Sequence, residues 1–163
     1  MTAEQKTGDR MPDGSIYLGF HKDKHWFVTA DDARPAPGKG LAMPFNRADQ
    51  YAQDLHTHGH ADWQLPDNNM LQEMFNLRSV GNFKGTYNET GHYLTGKYWS
   101  STPDMSEDIG WVQDFETGFR NNHKKEDYAA VRCVRGCEDR SLTEARLETL
   151  KSRTPAKVTF KKP

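Results

Sequence analysis

Gly96-Lys-Tyr-Trp-Ser-Ser-Thr-Pro103 decides the fold of this chain. It is a short aromatic and hydroxyl-rich run closed by proline, which is typical of a short β-strand and its turn. Two similar runs come after it, Trp111-Val-Gln-Asp-Phe115 and Val131-Arg-Cys-Val-Arg-Gly136. We therefore expect strands at 97–101, 109–115 and 128–135, with a polar loop at 117–127 before the last of them.

The first half of the chain has the pattern of a hairpin followed by two helices. Strands are expected at 15–20 and 25–30, because both runs are rich in aromatic and β-branched residues and a short polar turn separates them. Two apolar stripes with helical spacing come next, the first with Asn46 as its N-cap and the second with Asp67. Helices before the main strands predict an α+β fold with an antiparallel sheet.

Composition limits both the core and the compartment. Hydrophobic residues make up only 34% of 163 residues, so the 4 Trp, 6 Tyr and 8 Phe must supply much of the core. The net charge of -1 predicts no general affinity for nucleic acid. No apolar run approaches the ~20 residues that span a bilayer, and the first ten residues lack a hydrophobic centre. We expect a cytoplasmic protein, unless it is carried on a virion or larger particle.

The pattern divides the chain into three parts. Residues 1–12 are polar and are expected to be flexible, and residues 13–137 carry the domain. Residues 138–163 are expected to form a short amphipathic helix, with Ser141 as its N-cap, and then a basic tail. That tail could bind an anionic surface, but short lysine-rich ends are usually solvated.

The motifs occur in an order that resembles the Lcl C-terminal domain family, a bacterial family named after part of a collagen-like adhesin. Its pattern is a helix, "DWRLP", a second helix, "YWSS", a strand ending in Phe-x-x-Gly, and "RCVR". The matching residues here are Asp62-Trp-Gln-Leu-Pro66, Tyr98-Trp-Ser-Ser101, Phe115 with Gly118, and Arg132-Cys-Val-Arg135. The usual arginine of the second motif is Gln64, so any salt bridge which that arginine makes in relatives is absent.

The resemblance covers about residues 13–137 and implies a C-type-lectin-like fold, with two helices packed on a small twisted antiparallel sheet with long loops. It also implies a role in ligand binding. The same fold occurs in formylglycine-generating enzymes and in the variable proteins of diversity-generating retroelements. Adhesion does not follow from the fold alone.

Three tryptophans and three histidines invite a site but also have simpler interpretations. Trp63 and Trp99 lie inside strand-like motifs and are expected in the core, whereas for Trp111 both the core and an exposed site remain open. The run His56-Thr-His-Gly-His60 suggests a metal, but no cysteine or carboxylate set completes the shell. We expect a solvated turn there and no metal or cofactor.

The two cysteines are expected to be reduced thiols rather than a disulfide or a catalytic pair. Cys133 lies in the "RCVR" strand, where cysteine behaves as a small buried hydrophobe. An enzyme of the formylglycine-generating type, which would use both Cys133 and Cys137, is therefore the least supported alternative.

The surface around residues 100–125 is the best candidate site, because it combines hydrogen-bond donors, charges and an apolar face. Its candidate members are Ser100, Asp104, Trp111, Gln113, Phe119, Arg120, Asn121, Asn122, His123 and Lys124. We expect a non-enzymatic module that presents this surface to a glycan or a protein. A solvated hairpin tip is one alternative, and a component of a larger particle that docks through residues 138–163 is another. An oligomer is compatible with either.

Overall fold

The computed structural model describes residues 5–33, 42–89 and 96–138. This part of the chain contains two α-helices and small antiparallel sheets, which confirms the α+β class. In chain order, the elements are β1 (Ile16–His21), β2 (Lys24–Val28), β3 (Met43–Pro44), α1 (Phe45–Asp54), α2 (Asn68–Asn76), a 3₁₀ turn (Gly81–Phe83), β4 (Lys97–Pro103), β5 (Ile109–Asp114), β6 (Arg120–Lys124), β7 (Tyr128–Ala129) and β8 (Val134–Glu138). The helix and tail expected within 138–163 lie outside the described residues from 139 onward.

The first sheet joins the two ends of the domain, with strand order β1-β2-β8. Its turn places Lys22 and Asp23 at φ 54° and 63°, the left-handed conformation of a tight hairpin. In the middle of the sheet, Trp26 lies opposite Gly19 on one neighbouring strand and Gly136 on the other. The missing side chain of Gly136 leaves room for the indole, because a Cβ there would lie 2.9 Å from the ring.

The second large sheet has the order β4-β5-β6, and its first two strands confirm the predicted strands at 97–101 and 109–115. The predicted loop at 117–127 is wrong, because it contains β6, which pairs with β5 from Ile109↔Lys124 to Gln113↔Arg120. An edge strand whose side chains are mostly exposed has no apolar alternation by which sequence could reveal it.

The single strand predicted at 128–135 is also wrong, since it is divided into β7 and β8. Between them, Ala130 forms a parallel bridge with Tyr98 of β4, and the residues after it pair with the segment after β2. Ala33 N–H donates to Val131 O at 2.8 Å, and Thr29 N–H donates to Cys133 O at 3.1 Å.

The two helices differ in how they begin. Asp67 is the N-cap of α2 as predicted, because its side chain accepts a hydrogen bond from Met70 N at 2.8 Å. The predicted cap of α1 is wrong: the cap position is Pro44, which makes no side-chain cap bond, and Asn46 lies inside the first turn. Pro44 is held extended by β3–β7 pairing, so the helix begins two residues earlier than its polar signal indicates.

Within the described ranges, two hydrophobic clusters form the core, and β4 lies between them. Tyr98 is fully buried in the cluster of α2 and the first sheet, with Leu71 and Phe115. Its neighbour Trp99 is fully buried in the cluster of α1, with Ala48. Successive strand residues point to opposite faces, so the motif at 96–103 supplies an aromatic anchor to each cluster. Trp63 also lies in the second cluster, which confirms the core assignment of both tryptophans.

Gly118→Ala is expected to destabilise the protein by about 2–4 kcal/mol, by combining left-handed backbone strain with overpacking. Gly118 has φ 82°, and a Cβ there would lie 2.6 Å from Phe75 Cε2. The matched control is Gly85→Ala, which has φ 79° and nothing within 4 Å of its Cβ, so only the backbone term remains. Urea unfolding measures both variants, and equal losses would contradict the packing argument.

Candidate functional site

The candidate surface is built on the β5–β6 hairpin. Residues that lie opposite each other in an antiparallel pair project from the same face. Trp111 lies opposite Asn122, Ile109 opposite Lys124, and Gln113 opposite Arg120. These side chains form one row, whereas the buried Val112 of the other face packs in the cluster of α1.

Helix α2 covers one end of this row. Gln113 is fully buried, and its Nε2 donates to Gln72 Oε1 at 2.9 Å and to Gly118 O at 3.0 Å. Arg120 remains exposed, and its Nη2 donates to Asn68 O at 3.3 Å. Gln113, at one end of the row, is therefore covered by α2, whereas the side chains of Arg120 and Lys124 are exposed.

Two of the candidate residues are too buried for direct contact with a macromolecule. Ser100 and Gln113 are both fully buried, and Ser100 Oγ accepts a hydrogen bond from Thr102 N at 3.0 Å. Both residues were candidates because their side chains are polar. In the structure these side chains are buried and form hydrogen bonds with other residues of the protein. We therefore leave both out of the surface that a partner could contact.

The register of β6 separates the remaining candidates into two faces. Asn121 and His123 lie opposite Val112 and Gly110, and so project from the face opposite to Asn122. His123 Nδ1 lies 3.6 Å from Asp127 Oδ2, an ion pair when the imidazole is protonated. Because side chains alternate along β6, neighbouring residues of this polar run project from opposite faces of the sheet.

Asp104 and Phe119 lie in the turns on either side of β5. Asn122 Nδ2 donates to Asp104 Oδ1 at 3.1 Å, which connects the β4–β5 turn to β6. Phe119, in the β5–β6 turn, is 71% exposed, and Met105, beside Asp104, is completely exposed. Met105 was missed by the sequence reasoning, although a methionine within a polar turn is a signal. We call the set Asp104, Met105, Trp111, Phe119, Arg120, Asn122 and Lys124 the hairpin surface.

A second polar cluster, also missed by the sequence reasoning, surrounds the fully buried Arg132. Its Nε and Nη2 both donate to Thr29 O, and its Nη1 donates to Asp32 Oδ1 at 3.2 Å. Nη1 and Nη2 also donate to the carbonyl and hydroxyl oxygens of Thr86 at 3.0 and 3.1 Å. The five N–H groups of the guanidinium are thereby satisfied. This cluster fixes the segments around residues 29–32 and 86–88 to the "RCVR" motif.

Asp32 and two tyrosines close this buried cluster. Burial raises the pKa of the Asp32 carboxyl, while the Arg132 guanidinium and the Tyr98 hydroxyl, which donates at 2.6 Å, oppose the rise. Tyr98 Oη in turn accepts from Asn88 N at 2.8 Å. The Arg132 guanidinium lies 4.3 Å from the centre of the Tyr87 ring, a cation–π contact. Together these contacts give the cluster a structural role.

The histidine turn is more ordered than a solvated turn requires. His58 Nε2 accepts from Ala30 N at 3.2 Å, and its Nδ1 lies 3.0 Å from Asp13 O. His60 Nε2 lies 3.1 Å from Asp13 Oδ2. Within residues 5–33, 42–89 and 96–138, no three histidine, cysteine or acidic residues come together as a possible metal site. The two histidines instead fix the turn before β1.

Cys133 and Cys137 are both free thiols in the described part of the chain. Burial raises the pKa of the Cys133 thiol to about 12. Because the thiolate is the reactive form, this residue is a poor nucleophile at neutral pH. Cys137, at the end of β8, is only partly buried.

The sequence matches a known protein family over most of its length. The model of the family described as the Lcl C-terminal domain matches residues 20–135, which run from the end of β1 into β8. No curated protein matches the sequence. Of the helices in the described ranges, none is long and apolar enough to cross a membrane.

Proposed function

The chain belongs to the Lcl C-terminal domain family, and from this premise we propose that it is a non-enzymatic binding module which recognises a protein partner through the hairpin surface. The exposure of Phe119 and Met105, in the two turns that flank β5, carries the proposal. Aromatic residues, methionine and arginine are the types enriched at protein interfaces. Large apolar side chains that are grouped on a surface indicate a site of interaction.

The fold proposed with this function is C-type-lectin-like. It is supported by the family match and by two helices packed beside small antiparallel sheets. In this proposal, the buried Arg132 cluster and the two aromatic anchors of β4 keep the β5–β6 hairpin rigid. A rigid surface loses less conformational entropy when it binds.

A glycan is the second candidate ligand. The half-buried Trp111 offers a ring surface next to the carboxylate and amide of Asp104 and Asn122, which are 3.1 Å apart. An apolar ring beside planar polar groups suits the mixed surface of a sugar. The exposed Met105 and Phe119 favour the protein partner over this alternative.

The other roles remain weaker proposals. The buried and protonated Cys133 gives no support to thiol chemistry. An assembly role through residues 138–163 rests on residues outside the described part of the chain beyond Glu138. The proposed location, in the cytoplasm or on a larger particle, stays a prediction.

Arg120→Ala/Asn122→Ala/Lys124→Ala is expected to abolish partner binding, because these three alternate residues all belong to the hairpin surface. Truncation of a central interface residue costs about 2 kcal/mol or more, so at least a thirtyfold loss of affinity is expected. Affinity capture with purified partner candidates, together with a glycan array, measures the effect. Circular dichroism checks that the variant remains folded.

The matched control lies on the same strand. Asn121→Ala/His123→Ala removes the intervening side chains, which project from the other face, and is expected to leave binding within about twofold. The proposal is wrong if both variants bind equally well, or if the control loses as much affinity as the triple variant. A hit on the glycan array alone would favour the second candidate.

A further inference from the structure

A cleft of about 310 Å³ lies between the β1–β2 hairpin and the start of α2. It shares no residue with the hairpin surface. Side chains from the β1–β2 turn, from β2 and from the first two turns of α2 line it: His21, Lys22, Trp26, Asp67, Asn69, Met70 and Glu73.

The apolar part of the cleft is formed by Trp26 and Met70, which are 8% and 9% exposed. The indole Nε1 donates to His21 O at 3.0 Å, so the only polar atom of the Trp26 side chain already has a partner. A Cβ on Gly136 would lie 2.9 Å from the indole, which shows how closely the ring rests on β8. Trp26 therefore contributes to the cleft an aromatic surface in a fixed position.

The charges of the cleft do not balance. Both carboxylate oxygens of Asp67 already have partners. Oδ1 accepts a hydrogen bond from Met70 N at 2.8 Å, and Oδ2 lies 3.6 Å from Lys22 Nζ. The half-buried Glu73 carboxylate has no hydrogen bond or ion pair with any described residue. One uncompensated negative charge thus lines a cleft that also holds a tryptophan ring.

We propose that this cleft binds an alkylammonium group, with Glu73 as its counter-ion and Trp26 as its aromatic wall. A cation is attracted to the face of an indole ring, and tryptophan is the best of the aromatic residues for this contact. A charge-assisted hydrogen bond to Glu73 would satisfy the free carboxylate. Met70 would contact the methylene groups next to the nitrogen. A neutral ligand would leave the charge of Glu73 uncompensated, and an anionic ligand would be repelled by it.

The two sources of such a group are a free primary amine and a lysine side chain of a partner protein. Both present the same chemistry to Glu73 and Trp26. They differ at the far end of the methylene chain, because a lysine brings a peptide backbone to the mouth of the cleft, where Lys22 and Asn69 lie.

The test is an NMR titration of the ¹⁵N-labelled full chain with n-butylammonium chloride. The readouts are the Trp26 indole N–H signal and the Lys22 and Asn69 amides, with Trp26→Phe used only for assignment. We expect saturable shifts with a Kd of about 1–10 mM, as suits a ligand of few atoms. The neutral match, n-butanol, is expected to bind at least fivefold more weakly.

Glu73→Gln removes the charge with little change in shape and is expected to weaken n-butylammonium binding at least fivefold. The control Glu116→Gln removes an exposed acid from the β5–β6 turn and should leave the Kd unchanged. The proposal is overturned if n-butanol binds equally well, if Glu73→Gln binds like the wild type, or if the shifts spread over the surface without saturation.

A second titration with Nα-acetyl-lysine methylamide distinguishes the two sources. Binding as tight as that of n-butylammonium assigns the cleft to a lysine side chain, whereas weaker binding assigns it to a free amine. None of these readouts involves the hairpin surface, so a negative result leaves the proposed function untouched.

Discussion

Arg132→Ala is expected to lower the free energy of unfolding by about 3–5 kcal/mol, the typical cost of removing one partner from a buried ion pair. Arg132 is fully buried and makes five hydrogen bonds to Thr29, Asp32 and Thr86. Its loss removes the guanidinium donors from Asp32 Oδ1 and from the Thr29 carbonyl, both of which belong to buried residues. Equilibrium unfolding in urea measures the change.

The same motif supplies the control. Arg135, three residues later, donates to Asp62 Oδ1 at 2.7 Å and holds the pKa of that carboxyl below its usual value, but the Asp62 side chain is 56% exposed. Arg135→Ala is therefore expected to cost no more than about 1 kcal/mol. Arg132→Lys should recover little stability, since an ammonium has only three donors and no planar fork. Equal losses for Arg132→Ala and Arg135→Ala would contradict the buried-cluster argument.

Trp99→Ala is expected to cost about 3–5 kcal/mol, the usual range for truncation of a large buried aromatic residue. Trp99 is fully buried, and its Nε1 donates to Met43 O at 2.7 Å. The Phe45 and Trp99 rings pack edge to face, with their centres 5.5 Å apart. The indole also lies so close to β5 that a Cβ on Gly110 would be 2.9 Å from it. Truncation removes packing from both β5 and α1 and takes the indole donor away from the Met43 carbonyl.

Trp111→Ala is the matched control, because Trp111 lies on the neighbouring strand, is only half-buried and projects from the open face of the β5–β6 hairpin. We expect a loss of about 1 kcal/mol or less in urea unfolding. A loss for Trp111→Ala as large as that for Trp99→Ala would place Trp111 in the core. It would also remove that residue from the proposed binding site.

The parts of the fold that the sequence predicted correctly carry strong local signals. These parts are the aromatic runs of β4 and β5 and the Asp67 cap of α2. Each depends only on the residues of one short segment of the chain. The motif at 62–66 and the "RCVR" motif turn out to be neighbours, since Gln64 and Val134 exchange both backbone hydrogen bonds. Their co-occurrence in the sequence thus reflects contact in space.

The rest depends on pairing that no local pattern encodes. β6 is a polar edge strand, so only its register with β5 identifies it as a strand. That register also divides the candidate residues, because it puts Asn122 and Asn121 on opposite faces. The burial of Arg132 could not be read from its type, since arginine is mostly exposed and is buried only when its donors find partners. Those partners come from two distant segments.

The pairing of β8 with β2 determines when the domain can finish folding. Thr29 and Arg132, which join the same two regions, are 103 residues apart. A ribosome releases the N-terminal hairpin long before it releases β8, so during synthesis β2 keeps one unpaired edge. Contacts of such long range also require a large loop to close first, which slows folding. The first sheet to be translated is consequently the last to be completed.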